Sequence, residues 1–323
     1  MTDHRNAILH WAREGRLAAE HAEQAMREAG ELPNRRDWRR FIDRLLLWSG
    51  AALLGAGVIF FFAYNWNDLG RVARLGLAEV LVFVALAFCG WFGTERHVGK
   101  ASLFLAALLT GALLALFGQT YQTGADTFEL FITWALVILP WTIAGRLPAL
   151  WVLLIAIVNA AIAFYFTVFH GLFGVLFSTE KELWLLFVFN TAALALWEFA
   201  GRSIEWLRDR WAARLLGFAS GSLITTLAMY AIFDHDAGSA FAALVAYPLW
   251  LVAIYACYRR VIMDLFLLAG GVLSIVIVVA SLLAKAIEHE RGGGGLLFIG
   301  LVVIGLSALG GMWLKNLSRE GLR

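Results

Sequence analysis

The feature that most restricts what this chain can fold into is a series of ten apolar runs, each close to the roughly 20 residues needed to cross about 30 Å of hydrocarbon. They lie at Phe41 to Tyr64, Val72 to Gly93, Ala101 to Gly118, Thr127 to Ala144, Ala149 to Phe169, Glu182 to Ala200, Leu215 to Phe233, Ser239 to Tyr258, Val261 to Ala284 and Leu296 to Leu314. A bilayer core offers no water to unpaired backbone groups, so a spanning segment must be a helix or a strand of a closed barrel. Runs of this length without strict alternation exclude the barrel. The expected fold class is all-α: a polytopic transmembrane helix bundle of about ten spans over residues 41–314, with a hydrophilic helical hairpin over 1–40 and a tail over 315–323. Composition agrees, since 61% of residues are hydrophobic and only 15% charged, against roughly 25% charged in soluble domains.

Charge tests the count independently, because cytoplasmic loops collect Lys and Arg. With the N-terminus inside, 21 of the 26 basic residues fall on the cytoplasmic side, and only Arg71, Arg74, Lys181, Lys285 and Arg291 fall outside. Both termini are therefore expected in the cytoplasm. Trp48, Trp66, Trp91, Trp141, Trp151, Trp184 and Trp313 sit near the expected helix ends, as interfacial aromatics do. The turn Gly145 to Pro148 is the step on which the second half depends, since a break inside one long helix there would invert everything after it.

Ahead of the first span, Ala7 to Glu14 and Leu17 to Ala29 read as two short helices joined at Gly15 and closed by Gly30. This hairpin is expected to rest at the membrane surface, with docking of a protein partner as the sharper reading. Arg35, Arg36, Arg39 and Arg40 suit orientation and contact with anionic lipid, each worth about 1 kcal/mol near such a surface. A net charge of +2 without a basic stripe argues against nucleic acid as a partner. Cys89 and Cys257 lie in apolar runs and read as packing residues. No cofactor or metal is called for. An Asp234, His235, Asp236 cluster with His170 or His289 is a weak metal pattern.

Polar residues collect on the expected outer side: Asn65, Asn67 and Asp68 after the first span, then Gln119, Thr120, Tyr121, Gln122 and Asp126 between the third and fourth. One reading makes them helix caps and loop ligands. The other makes Asn65, Asn67, Asp68, Glu79, Gln119, Tyr121, Gln122 and Asp126 a wet vestibule leading to a substrate site. Glu79 stands about two turns into the second span, where an acid is penalised unless it faces protein or water. It is expected to face the bundle and hydrogen-bond Gln119, Tyr121 or Asn159, which would suit it to carry a proton. Asn159 and Asn190 lie within the fifth and sixth spans and are expected to bond across helices.

Two stretches, Ala63-Tyr-Asn-Trp66 with Arg71 downstream and Gly118-Gln-Thr-Tyr-Gln-Thr-Gly-Ala-Asp126 followed by Trp134 and Pro140, resemble the bacterial membrane proteins of domain-of-unknown-function family 2157. The start Trp11-Ala-Arg-Glu-Gly15, followed by an Ala/Glu-rich helix, is similar to that family's hydrophilic N-terminus. Together they cover about the first 145 residues. The resemblance implies a bacterial inner-membrane protein with a cytoplasmic N-terminal region, and it brings no activity or catalytic residue.

Three functions fit these residues. The leading one is a transporter-like or channel-like protein for a small solute or a lipid-derived group. Ten spans divide into five and five, and an odd number per half inverts the second, as in many secondary transporters. No sequence repeat accompanies that count. The second is a non-catalytic scaffold or envelope sensor. The third is a membrane-embedded lipid-modifying enzyme using Glu79, Asp126 or the Asp234 cluster. There is no nucleophile elbow, no HExxH and no P-loop to select a reaction.

Overall fold

A computed structural model describes residues 7–8, 10–12, 14–30, 32–64, 70–169, 178–233, 240–287 and 294–320. Among them a short amphipathic helix α1 (Ala19–Glu28) precedes ten helices long and apolar enough to cross a membrane. These are α2 (Arg35–Tyr64), α3 (Arg71–Phe92), α4 (His97–Tyr121), α5 (Thr127–Gly145), α6 (Pro148–Phe169), α7 (Thr179–Ala200), α8 (Arg210–Phe233), α9 (Ala240–Ala256), α10 (Leu265–Ile287) and α11 (Gly294–Glu320). The all-α polytopic expectation holds, and the expected breaks at Gly15 and Gly30 have positive φ, 70° and 73°. Asp68 and the Asp234 to Asp236 cluster, with His170 and His289, lie outside the described residues.

Two boundaries differ from the apolar pattern for local reasons. α2 starts six residues before the apolar run because Asn34 caps it: its Oδ1 accepts from the backbone N–H of Arg36 at 2.8 Å and of Asp37 at 3.0 Å, while Asp37 Oδ2 accepts from Asn34 N–H at 3.0 Å. The four arginines thus ride on the first turns of a membrane helix. α10 starts at Leu265 rather than Val261, because a π-turn, Cys257–Val261, prolongs α9 and Asp264 begins the next helix.

The helices group into two compact units, one up to Tyr121 and one from Gln122 onward. They hold three and seven of the described spans, so packing does not divide the chain five and five. In the first unit α4 packs against both α3 and α2. Phe62, Ala78 and Leu116 meet in its core. The α3–α4 turn closes tightly at Gly99, where a Cβ would run into the carbonyl of Gly93.

In the second unit α5 and α6 form an antiparallel hairpin, with Phe131 stacked on Phe164 at 5.2 Å and Phe128 6.0 Å from Phe169. Arg146 turns the chain between them in the left-handed region, φ 44°. The Gly145 to Pro148 segment is therefore a true turn. α8 is the hub, packed against α7, α9 and α10. Small residues, Ala212, Ala213, Gly217, Ser220, Gly221 and Ala228, lie among the larger Leu216, Ile224, Leu227 and Ile232 on its buried faces and let neighbouring helices approach closely. A Cβ at Gly217 would collide with Leu267, and one at Gly221 would stand 2.9 Å from Trp250 Cη2.

Candidate functional site

Most of the buried polar side chains among the described residues lie in the second unit. At one end, four helix ends are tied by charge. Asp264, with its side chain 1% exposed, is the hinge of this cluster. Its Oδ1 accepts from the backbone N–H groups of Phe266 (3.0 Å) and Leu267 (3.4 Å), capping α10. Its Oδ2 accepts from Arg210 Nε at 3.1 Å and Arg214 Nε at 3.0 Å. Arg210 reaches onward with Nη1 to both Glu198 oxygens, each at 2.9 Å, and Tyr258 donates its hydroxyl to Glu198 Oε1 at 2.9 Å. The turn from α7 to α8 is fastened by Trp197 Nε1 donating to Leu207 O at 3.2 Å. Burial by itself would push the Asp264 carboxyl up, but the guanidiniums of Arg214 and Arg210 hold it below the usual carboxylate range.

Deeper in the unit the polar groups are neutral. Asn159 and Asn190 form a reciprocal amide pair between α6 and α7, at 2.6 and 3.3 Å, and each amide also donates to a carbonyl one turn back, Ile155 O or Leu186 O, at 2.8 Å. The expected interhelical bond is present. Ser220 on α8 accepts from Trp250 Nε1 at 3.0 Å and pairs with Thr191 at 2.7 Å. A hydroxyl has one proton, which orders the next chain. Thr225 donates to Gly221 O (2.6 Å) and so accepts from Ser274 (2.6 Å), which in turn accepts from Tyr247 (3.1 Å).

Beside this hydroxyl chain runs a groove of about 520 Å³ between α8 and α10, backed by Trp250 and Ile254 of α9. Gly217, Gly221 and Gly270 line it, and its open rim carries Phe218, Phe266 and Leu273, all more than half exposed. Its α8 wall extends from Gly217 to Met229, about 18 Å at 1.5 Å per residue. A Cβ at Gly270 would meet nothing within 4 Å, so this glycine leaves the groove open. Of the hydroxyls lining it, those of Thr225, Thr226 and Ser274 are already bonded within the protein, Thr226 to Ser222 O at 2.9 Å, while the Ser222 hydroxyl makes no hydrogen bond among the described residues. The groove therefore offers an incoming group an almost wholly apolar surface. A second cavity of about 530 Å³ among α9, α10 and α11, lined by residues such as Leu251, Val272, Leu306 and Trp313, has no charged residue in its lining.

The residues expected to form an outer vestibule are distributed differently. Asn65, Asn67 and Asp68 lie outside the described residues. Gln119 and Tyr121 are exposed on the last turn of α4, where Tyr121 packs on Phe117 at 4.7 Å between ring centres. Gln122 takes φ 46° just after it. Asp126 is the N-cap of α5, and Glu129 closes a capping box by accepting from the Asp126 N–H at 3.1 Å. For Asp126 the capping reading is the one observed. Glu79 requires a correction: it is exposed, and it makes no hydrogen bond or ion pair among the described residues. The face of α3 that packs is the small-residue one of Ala78, Val82, Ala85 and Cys89. Glu79 is turned about 100° from Ala78, into an exposed stripe with Phe83.

The sequence pattern does not single out Glu198, Asp264 or Tyr258, and it places Arg210 and Arg214 among loop charges. The available signal was two arginines four apart at the start of a span, with single acids at the same-side ends of neighbouring spans.

Residues 9–151 match the model of a family described as predicted membrane protein, domain of unknown function 2157. The resemblance carried by Ala63 to Trp66 and Gly118 to Asp126 is thereby borne out. The match ends within α6, so the charged cluster and the groove lie beyond it. No curated protein and no solved structure matches the chain.

Proposed function

We propose that this is a transporter-like protein of the bacterial inner membrane whose cargo is a lipid-derived, amphipathic group entering sideways from the bilayer. The observation that carries the reading is the α8–α10 groove, about 520 Å³ in volume and apolar, with an unfilled wall at Gly270. A small hydrophilic solute would need uncommitted polar partners along its path, because burying a polar group without a hydrogen bond is penalised by a few kcal/mol. Here Thr225, Thr226 and Ser274 already bond to one another and to backbone, which leaves Ser222 as the one uncommitted hydroxyl among the described lining residues. For the enzyme reading, Asp126 is already engaged as the N-cap of α5 and Glu79 is exposed without a hydrogen-bond partner among the described residues.

The test is translocation. Protein reconstituted in phospholipid vesicles carrying a fluorescent lipid should hasten exchange of that lipid between leaflets, read by an impermeant quencher. Gly270→Leu, whose Cβ has no atom within 4 Å and whose side chain projects from the groove's wall, should bring the rate back toward that of protein-free vesicles. A wild-type rate equal to the protein-free rate would remove the proposal.

A further inference from the structure

The charged cluster and the groove meet at one residue, and we propose that Arg214 makes the groove a site for an anionic lipid, its headgroup phosphate on Arg214 and an acyl chain along Gly270. This rests on the reading of the groove as a place for a lipid-derived group. Arg214 stands one turn before Gly217 and Phe218 on α8, at the head of the groove. Its guanidinium carbon lies 5.9 Å from the centre of the Phe266 ring, which lines the groove's rim.

Asp264 holds Arg214 through Nε alone, at 3.2 Å and 3.0 Å. Both terminal nitrogens are left without a partner among the described residues, on a side chain 45% exposed. That is the donor edge of a guanidinium, and a phosphate oxygen pair fits it in a two-pronged hydrogen bond. The other arginine of the cluster is committed, because Arg210 engages Asp264 and Glu198 together. Arg210 and Arg214 together offset Glu198 and Asp264, so the cluster carries no net charge to repel a phosphate at the open edge of Arg214.

The same chemistry could come from a free anion, and what favours a lipid is the apolar surface continuing about 18 Å from the arginine. A free phosphate has no use for Phe218, Leu273 or Ile277. An anionic lipid uses both ends, hydrocarbon against the groove and charge against the donor edge. Neither cavity has a charged residue in its own lining, and the α8–α10 groove is tied to a charge through Phe266, which lines it and lies under the Arg214 guanidinium.

The experiment is lipid retention. The full chain is reconstituted in nanodiscs of phosphatidylcholine with a minor fraction of phosphatidylglycerol, released, and weighed with its bound lipids by native mass spectrometry. Phosphatidylglycerol should be retained roughly fivefold over its share of the disc, the ratio expected for one basic side chain at the surface. Arg214→Gln should abolish the preference while leaving retention of lipid as such, Arg214→Lys should keep part of it, and Gly270→Leu should lose the retained lipid. Since Arg214→Gln also loosens the cluster, thermal unfolding is followed in parallel, and Gly270→Leu, remote from the charges, keeps the test decisive. Equal retention of the two lipids by the wild type would overturn the headgroup assignment and leave the groove reading standing. Retention of neither would overturn both. A preference that survives Gly270→Leu would place the lipid elsewhere, and stabilisation by inorganic phosphate equal to that by phosphatidylglycerol would replace the lipid with a free anion.

Discussion

Asp264 has two structural tasks that different substitutions separate. It caps α10 with Oδ1 and it pairs Arg210 with Oδ2 and Arg214 with both oxygens. Removing one partner of a buried ion pair is destabilising by about 3–5 kcal/mol. The lower end applies to Asp264→Asn, because Arg214 can turn to water and Arg210 keeps Glu198. Asn is itself a good cap, so Asp264→Ala should lose about 1 kcal/mol more. Thermal unfolding in detergent would check both, and two variants of equal stability would show that the cap contributes nothing. The carboxyl is held below the usual range, so the stability it contributes is fully present above the unfolded value of about 3.9 and fades as pH falls through the lower folded value. Wild-type stability should therefore drop in that acid window more steeply than that of Asp264→Asn. Parallel acid profiles would count against the pairing.

Among elements, α8 decides how closely the second unit packs. Gly217 lies against Leu267 and Gly270 faces open space, so similar substitutions should act oppositely. Gly217→Val should destabilise by about 1–3 kcal/mol through overpacking, while Gly270→Ala should be neutral or mildly stabilising because alanine loses less conformational freedom in a helix. Matching losses for the two would show that the contact at Gly217 is not special. The Asn159–Asn190 pair couples α6 to α7, and a double-mutant cycle to alanine should return about 0.6 kcal/mol and no more than about 1.7. Helices were the legible part of this chain, since an apolar run of spanning length has one solution in a bilayer. Their starts were less so: Asn34 and Asp264 set the beginnings of α2 and α10 through side-chain caps that hydropathy does not register. The candidate site was mostly illegible. Asn159 and Asn190 could be paired because two amides deep in apolar runs need partners, whereas the Glu198, Arg210, Tyr258 and Asp264 cluster joins four elements over 66 positions, each contributing one polar group that is unremarkable at a helix end. Glu79 misled for the complementary reason: depth in a span says how much burial a charge must answer for, and it does not say which face of the helix is packed.

For the whole molecule, the issue that organises everything else is which end of each unit faces the cytoplasm. The partition of 21 basic residues against five proposes an answer, and the α5–α6 turn carries it through the second half, since Phe131 against Phe164 makes those helices antiparallel neighbours. On the orientation that this partition proposes, the Arg210, Arg214 and Asp264 end of the second unit would be cytoplasmic and the groove would open toward the inner leaflet, where an anionic headgroup would meet Arg214. Single cysteines report this directly in a background with Cys89 and Cys257 replaced by alanine. Gly99 and Gly201 are poor reporters, because a Cβ at Gly99 collides with the Gly93 carbonyl and one at Gly201 stands 3.1 Å from Trp197 O. Exposed positions in turns and at helix starts serve instead. In intact cells Thr123→Cys and Thr179→Cys should react with an impermeant thiol reagent, while Glu95→Cys and Ser203→Cys should react only after the membrane is opened. The reverse pattern at all four positions would invert the molecule and move the groove's charged end to the outer leaflet. A reversal at Thr179 and Ser203 alone would mean that the chain does not cross the membrane twice between Thr127 and Phe169, against the hairpin on which the second unit's orientation depends.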